Sequence, residues 1–178
     1  MRVSLRAAAL AARAARILLL LGALAAAGAA HAQRIDAPRE TTAVTIGGER
    51  FVLEVARDPA VQYRGLGGRT SIDPHGGMIF VFQRPQATAF VMRDCPIPID
   101  VAFLDGDGRV VALHEMKPEP PRGPRESAAA YDARLRPYPS GLPVAFAVET
   151  AGGRLRQLGV RAGDRIELGR AALLAPRP

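Results

Sequence analysis

The chain has 178 residues, with 24 Lys plus Arg against 17 Asp plus Glu, a formal net charge of +7 and a single cysteine. One cysteine excludes an internal disulfide. The arginines are dispersed and aromatic residues are few, so the chain lacks the basic stripe expected of a nucleic-acid binder.

At the N-terminus, Arg2, Arg6, Arg13 and Arg16 precede an uncharged run from Ile17 to Ala30, and Ala30-His31-Ala32 follows. A basic head, a short apolar middle and a small-x-small end are the parts of a secretory signal peptide. Cleavage after Ala32 starts the mature chain at Gln33 and lowers the net charge from +7 to +3. The apolar run is shorter than the roughly 20 residues a membrane span requires, which disfavours an uncleaved anchor. No cysteine lies near the cut to carry a lipid, and no Arg-Arg pair marks the twin-arginine route. The expectation is a periplasmic or secreted protein with no membrane span after processing.

Residues 33–41 read as a flexible lead-in to one domain over residues 42–170, large enough for a real core. Thr42–Ile46 and Arg50–Ala56 flank Gly47-Gly48, a hairpin signal. In the second strand Phe51, Leu53 and Val55 share one face. Asp58-Pro59 predicts a helix N-cap with proline in the first turn, running to about Leu66 with Gly67 as the left-handed stop. Met78–Phe82 is a continuous apolar run suited to a strand buried on both faces. Thr88–Met92 and Ile99–Leu104 are further predicted strands, the second joined to Arg109–His114 through Asp105-Gly106-Asp107-Gly108.

Asp105 and Asp107 do not read as a calcium loop, because Arg109 stands where a third oxygen ligand is needed. No metal and no cofactor is implied. Lys117–Pro143 carries seven prolines between charges, so it is not a sheet interior. It reads either as a functional flap or as a loop pinned by Tyr131 and Tyr138, with a short helix within Ser127–Arg136. Val144–Glu149 resumes the strand pattern, Gly153–Leu158 suits a short helix closed by Gly159, and Arg165–Leu168 is a last strand before a tail over 171–178. The sum is a mostly β (α+β) domain of seven to eight short strands, largely antiparallel and barrel-like, with two small helices.

The densest block runs from Gly76 to Asp105, where Arg93, Asp94, Cys95 and Asp100 interrupt apolar runs. Cys95 would need a base to act as a nucleophile, and neither His75 nor His114 lies at a spacing that implies contact. Pro96 and Pro98 hold the next segment extended, so Cys95 is expected to end a strand and pack.

Gly65-Leu66-Gly67-Gly68-Arg69, Gly77-Met78-Ile79-Phe80, Phe90-Val91-Met92-Arg93-Asp94-Cys95, Ile97-Pro98-Ile99-Asp100 and Gly159-Val160-Arg161-Ala162-Gly163-Asp164 occur in that order. The set resembles the domain-of-unknown-function 192 family of small, often exported prokaryotic proteins, from about Phe51 to Leu168. The resemblance implies a compact β-rich fold and no settled reaction. Against the family pattern, Gly67 replaces a methionine, Val91 an aromatic, Asp94 an asparagine and Cys95 a threonine. Asp94 thus adds a charge where the pattern is neutral, and the threonine further weakens a thiol mechanism.

The candidate ligand-binding residues are Arg69, Arg93, Asp94, Asp100 and Glu149. Asp100 sits in an apolar strand, where a charge is costly unless paired, and Arg93 or Arg69 is the expected partner. Such a cluster is either an internal ion pair that pins strand register or part of a cleft. Two functions follow. One is a binding or accessory module of the cell envelope for a small polar or anionic ligand or a protein partner. The other is a hydrolase using Asp94 and Asp100 as a carboxylate pair, which requires a definite separation between them.

Overall fold

The computed structural model describes residues 40–169 and Leu173. The expected signal peptide, its Ala30 and Ala32 site, and most of the C-terminal tail lie outside the described residues. Among them no helix is long and apolar enough to cross a membrane.

Strands β1 (Thr41–Ile46) and β2 (Glu49–Ala56) form the expected hairpin. Gly47 and Gly48 take φ of 56° and 83°, the positive values that a two-residue turn of this hand requires. Helix α1 (Pro59–Arg64) follows, capped by Asp58, whose carboxylate accepts from the Ala60 amide at 2.8 Å. It stops at Gly65 (φ 52°), two residues before the expected Gly67. Gly67 has a different task. A side chain there would lie 2.9 Å from the Arg64 carbonyl oxygen and 3.1 Å from that of Arg93, so glycine allows two loops to close on each other.

Strand β3 (Met78–Gln86) is buried over its first five residues and exposed over the rest. Of the expected Thr88–Met92 strand only β4 (Ala89–Phe90) forms. The chain then turns through Asp94, whose φ of 53° is the positive value found among non-glycine residues here. Strands β5 (Ile99–Leu104) and β6 (Val110–Met116) are joined by the expected hairpin, in which Asp105 Oδ1 accepts from the amides of Asp107 and Arg109 at 2.8 and 2.9 Å.

The proline-rich stretch is an ordered strap. Helix α2 (Ala128–Arg134), capped by Ser127, buries Tyr131, and β7 (Tyr138–Pro139) pairs with β4 as a separate two-stranded ribbon. Arg134 ties it together, donating to the Pro120 and Pro121 carbonyls and to Glu126. Strand β8 (Val144–Ala151), helix α3 (Arg154–Gln157) and strand β9 (Glu167–Leu168) follow in the described residues.

The main sheet has seven strands in the order β6-β5-β8-β3-β2-β1-β9. Its pairs are antiparallel except β2 with β3, which α1 connects by a crossover. It curls strongly, and the last segment touches both of its edges. β9 pairs with β1, while Ile166 donates to the Gly108 carbonyl at 2.9 Å and Val110 to that of Asp164 at 2.8 Å.

Both faces of the central strands are covered. Phe51, Leu53, Ile79, Ala102, Phe146 and Val148 belong to one apolar cluster. Leu66, Met78, Phe80, Val101, Phe103 and Ala147 belong to the other. The strands are continuous apolar runs because neither face meets water.

Candidate functional site

Two buried carboxyl groups stand on neighbouring strands. Asp100 on β5 pairs across the ladder with Thr150, and Val101 pairs with Glu149 on β8. Successive residues of a strand point to opposite faces, so the two acids project to opposite sides of the sheet. Their relative exposures are 1 % and 5 %.

Asp100 does not pair with Arg93 or Arg69, which corrects the sequence expectation. Its oxygens accept from the amides of Gly153 at 2.8 Å and Leu155 at 2.9 Å, so it caps the short helix α3. Burial raises its pKa, and the two amides pull it back. The same neighbourhood explains Pro98, whose carbonyl accepts from the Gly152 amide at 3.0 Å. A side chain on Gly152 would come within 2.4 Å of Pro98 Cβ. The Ile97–Asp100 motif is therefore a clamp on the β8–α3 turn.

The arginines are taken elsewhere. Arg69 pairs with Glu54 at 2.7 Å. Arg93 pairs with Asp132 of the strap at 2.9 Å and lies over the Tyr63 ring at 4.0 Å. Tyr63 also donates its hydroxyl to Asp132 at 3.3 Å. Asp94 is exposed, and its backbone does the binding: its amide donates to the Tyr131 hydroxyl at 2.9 Å and its carbonyl accepts from Gly68 at 2.7 Å. The first and third motifs thus meet at this turn, with the strap latched over it. Since Asp94 and Asp100 line different grooves, the carboxylate pair needed for a hydrolase is not assembled.

Glu149 is different in kind. Its Oε2 is buried and has no hydrogen-bond partner. Burial raises its pKa from the ordinary 4.5 to about 8, against the opposing pull of the Leu66 amide and the Arg69 charge. It lines a cleft of about 330 Å³ together with Tyr63, Arg64, Phe80, Phe90, Arg93 and Cys95. Phe80 and Phe90 meet edge to face at 4.7 Å, and Phe90 meets Phe103 at 5.2 Å.

Gly65 makes room beside the carboxyl, since a side chain there would sit 3.3 Å from Glu149 Oε2 and 3.5 Å from Phe80 Cζ. Cys95 lies in the same cleft and donates to the Arg93 carbonyl at 3.3 Å. Burial, then the negative charges of Glu149 and Asp94, push its thiol up to about 12. It is a packed neutral thiol with no nucleophilic character at neutral pH.

Of the five expected residues, Arg93 and Glu149 share this cleft, Asp94 lines a separate groove that shares Tyr63, Arg64 and Arg93 with it, Arg69 acts on Glu149 only through its charge, and Asp100 belongs to the other face. Sequence reasoning missed Gly65, Phe80 and Phe90 as its walls. The available signal was a glutamate ending an apolar strand run, opposite a glycine-rich loop.

The family model DUF192, described as Uncharacterized ACR, matches residues 42–168. Among solved structures, a protein from Sinorhizobium meliloti 1021, provisionally described as a transcription regulator, is 27% identical with a TM-score of 0.62. The match covers 78% of this chain and 99% of that one. A protein of unknown function from Novosphingobium aromaticivorans DSM 12444 is 30% identical with a TM-score of 0.61, covering 74% of this chain and 88% of the other. No curated protein matches the chain.

Proposed function

Because this chain belongs to DUF192, a family described only as uncharacterized, its role has to be read from the cleft, and we propose that it is a binding module for a small polar ligand seated on Glu149. One observation carries the reading: a carboxyl oxygen buried without a partner, at a cleft with aromatic walls. A buried polar atom left unsatisfied costs about 1–3 kcal/mol, and a ligand that meets it recovers that cost on binding. An apolar concavity with one or two convergent polar groups is the usual form of a small-molecule site.

An anionic ligand held at Arg69 and Arg93 draws less support, since Glu54 and Asp132 already occupy those guanidinium groups. The basic head, apolar run and Ala30-His31-Ala32 support a place in the cell envelope. N-terminal sequencing of protein from the periplasmic fraction is expected to begin at Gln33.

A thermal-shift screen of small polar compounds on the purified protein tests the binding role. Compounds that raise Tm in the wild type and not in Glu149→Gln are the expected result. Compounds that stabilise both equally place the ligand elsewhere and overturn the reading.

A further inference from the structure

We infer, resting on the binding role just proposed, that the ligand of the Glu149 cleft is an organic cation: an amine or ammonium head with an apolar flank. Three features of the cleft converge on that class. The polar group at its inner wall is a carboxyl with one oxygen lacking a hydrogen-bond partner, which complements a positive head. The walls beside it are the rings of Phe80, Phe82 and Phe90, with Tyr63 nearer the mouth. Aromatic rings attract cations through their quadrupole and leave no polar group to compete for the head.

The third feature is the notch over Gly65. The glycine leaves open the space between Glu149 Oε2 and the edge of Phe80, where a head group reaches the carboxyl and the ring together.

Arg93 is neutralised by Asp132. Asp94 and Glu149 both act electrostatically on Cys95, so two acids lie within reach of the lining. Asp94 is the position where this chain has a charge in place of the family pattern's asparagine. Arg64 sits at the rim with no ion-pair partner among the described residues. As an unpaired cation it repels a positive head at the rim and would pair with an anionic tail.

The cation also decides the protonation of Glu149. The groups facing that carboxyl are the Leu66 amide and the Arg69 charge, with Cys95 beside it. Without ligand the group holds its proton at neutral pH. A bound ammonium stabilises the carboxylate, so one proton leaves Glu149 for solvent as the cation enters.

Three matched probes test the inference by calorimetric titration of the full chain: benzylammonium, benzyl alcohol and benzoate. Benzylammonium is expected to bind at least about tenfold more tightly than either, and its margin over benzyl alcohol should widen between about pH 6 and about pH 8. Its heat should vary with the buffer in the direction of proton release. Glu149→Gln should abolish the preference, and the pH dependence of the wild type gives the same information if that variant does not fold. Equal, Glu149-dependent binding of all three probes overturns the cation and leaves the binding role standing. Tighter binding of benzoate, or proton uptake, also overturns the cation. No binding of any probe at millimolar concentration overturns both.

Discussion

Among the described residues, Asp100 and Glu149 are the two buried carboxyl groups of one sheet, on adjacent strands and one register step apart, yet they have opposite fates. Both oxygens of Asp100 accept from amides and hold the β8–α3 turn. Glu149 keeps one oxygen without a partner beside an open cleft. The first acid is consumed by the fold and the second is left for something outside it. Burial alone therefore does not mark a functional acid; its remaining hydrogen-bonding capacity does.

The sharpest way to break this contrast is through pH. The folded-state pKa of Glu149 is raised, so its contribution to stability is complete below 4.5 and is lost as pH rises through about 8. Glu149→Gln should flatten the fall in stability across that window by at most on the order of 5 kcal/mol. Denaturant melts of both proteins at several pH values check it, and parallel curves would mean that the carboxyl is solvated.

Asp100→Ala attacks the other side of the comparison. It leaves two buried amides without an acceptor and should cost about 2–3 kcal/mol at neutral pH. A melt unchanged from wild type would show that α3 does not depend on its cap. Tyr131→Phe removes the hydroxyl that accepts from the Asp94 amide. It should cost about 1 kcal/mol and loosen the strap, read as faster amide exchange at Asp94. The smallest effect belongs to Cys95, whose thiol in the folded protein should resist alkylation at neutral pH and react only after denaturation.

Most of the architecture was legible in the chain, because local chemistry determines it. Gly47-Gly48, Asp58-Pro59 and Asp105–Gly108 each act within a few residues of themselves, and the strand alternation around them survives in the sheet. The stop of α1 shifted to Gly65 because two glycines lay within reach and the later one was needed for contact with Arg93.

The polar partners were not legible. Asp100 takes its amides from residues 53 and 55 positions away, and Arg93 finds its acid 39 positions away. No spacing rule connects such residues; only the folded sheet and the strap do. Glu149 was visible as an acid ending an apolar run, but its lack of a partner depends on every neighbour being in place.

The segment from Gly163 to Leu168 meets both margins of the sheet, through β1 on one side and Gly108–Val110 on the other. It supplies the final seam of the curl and comes last among the described strands in chain order. A copy cut short before Arg165 would leave two unprotected borders, each a template for sticking to its neighbours. Carboxy-terminal nicking is thus expected to promote aggregation while the cleft residues themselves remain uncut.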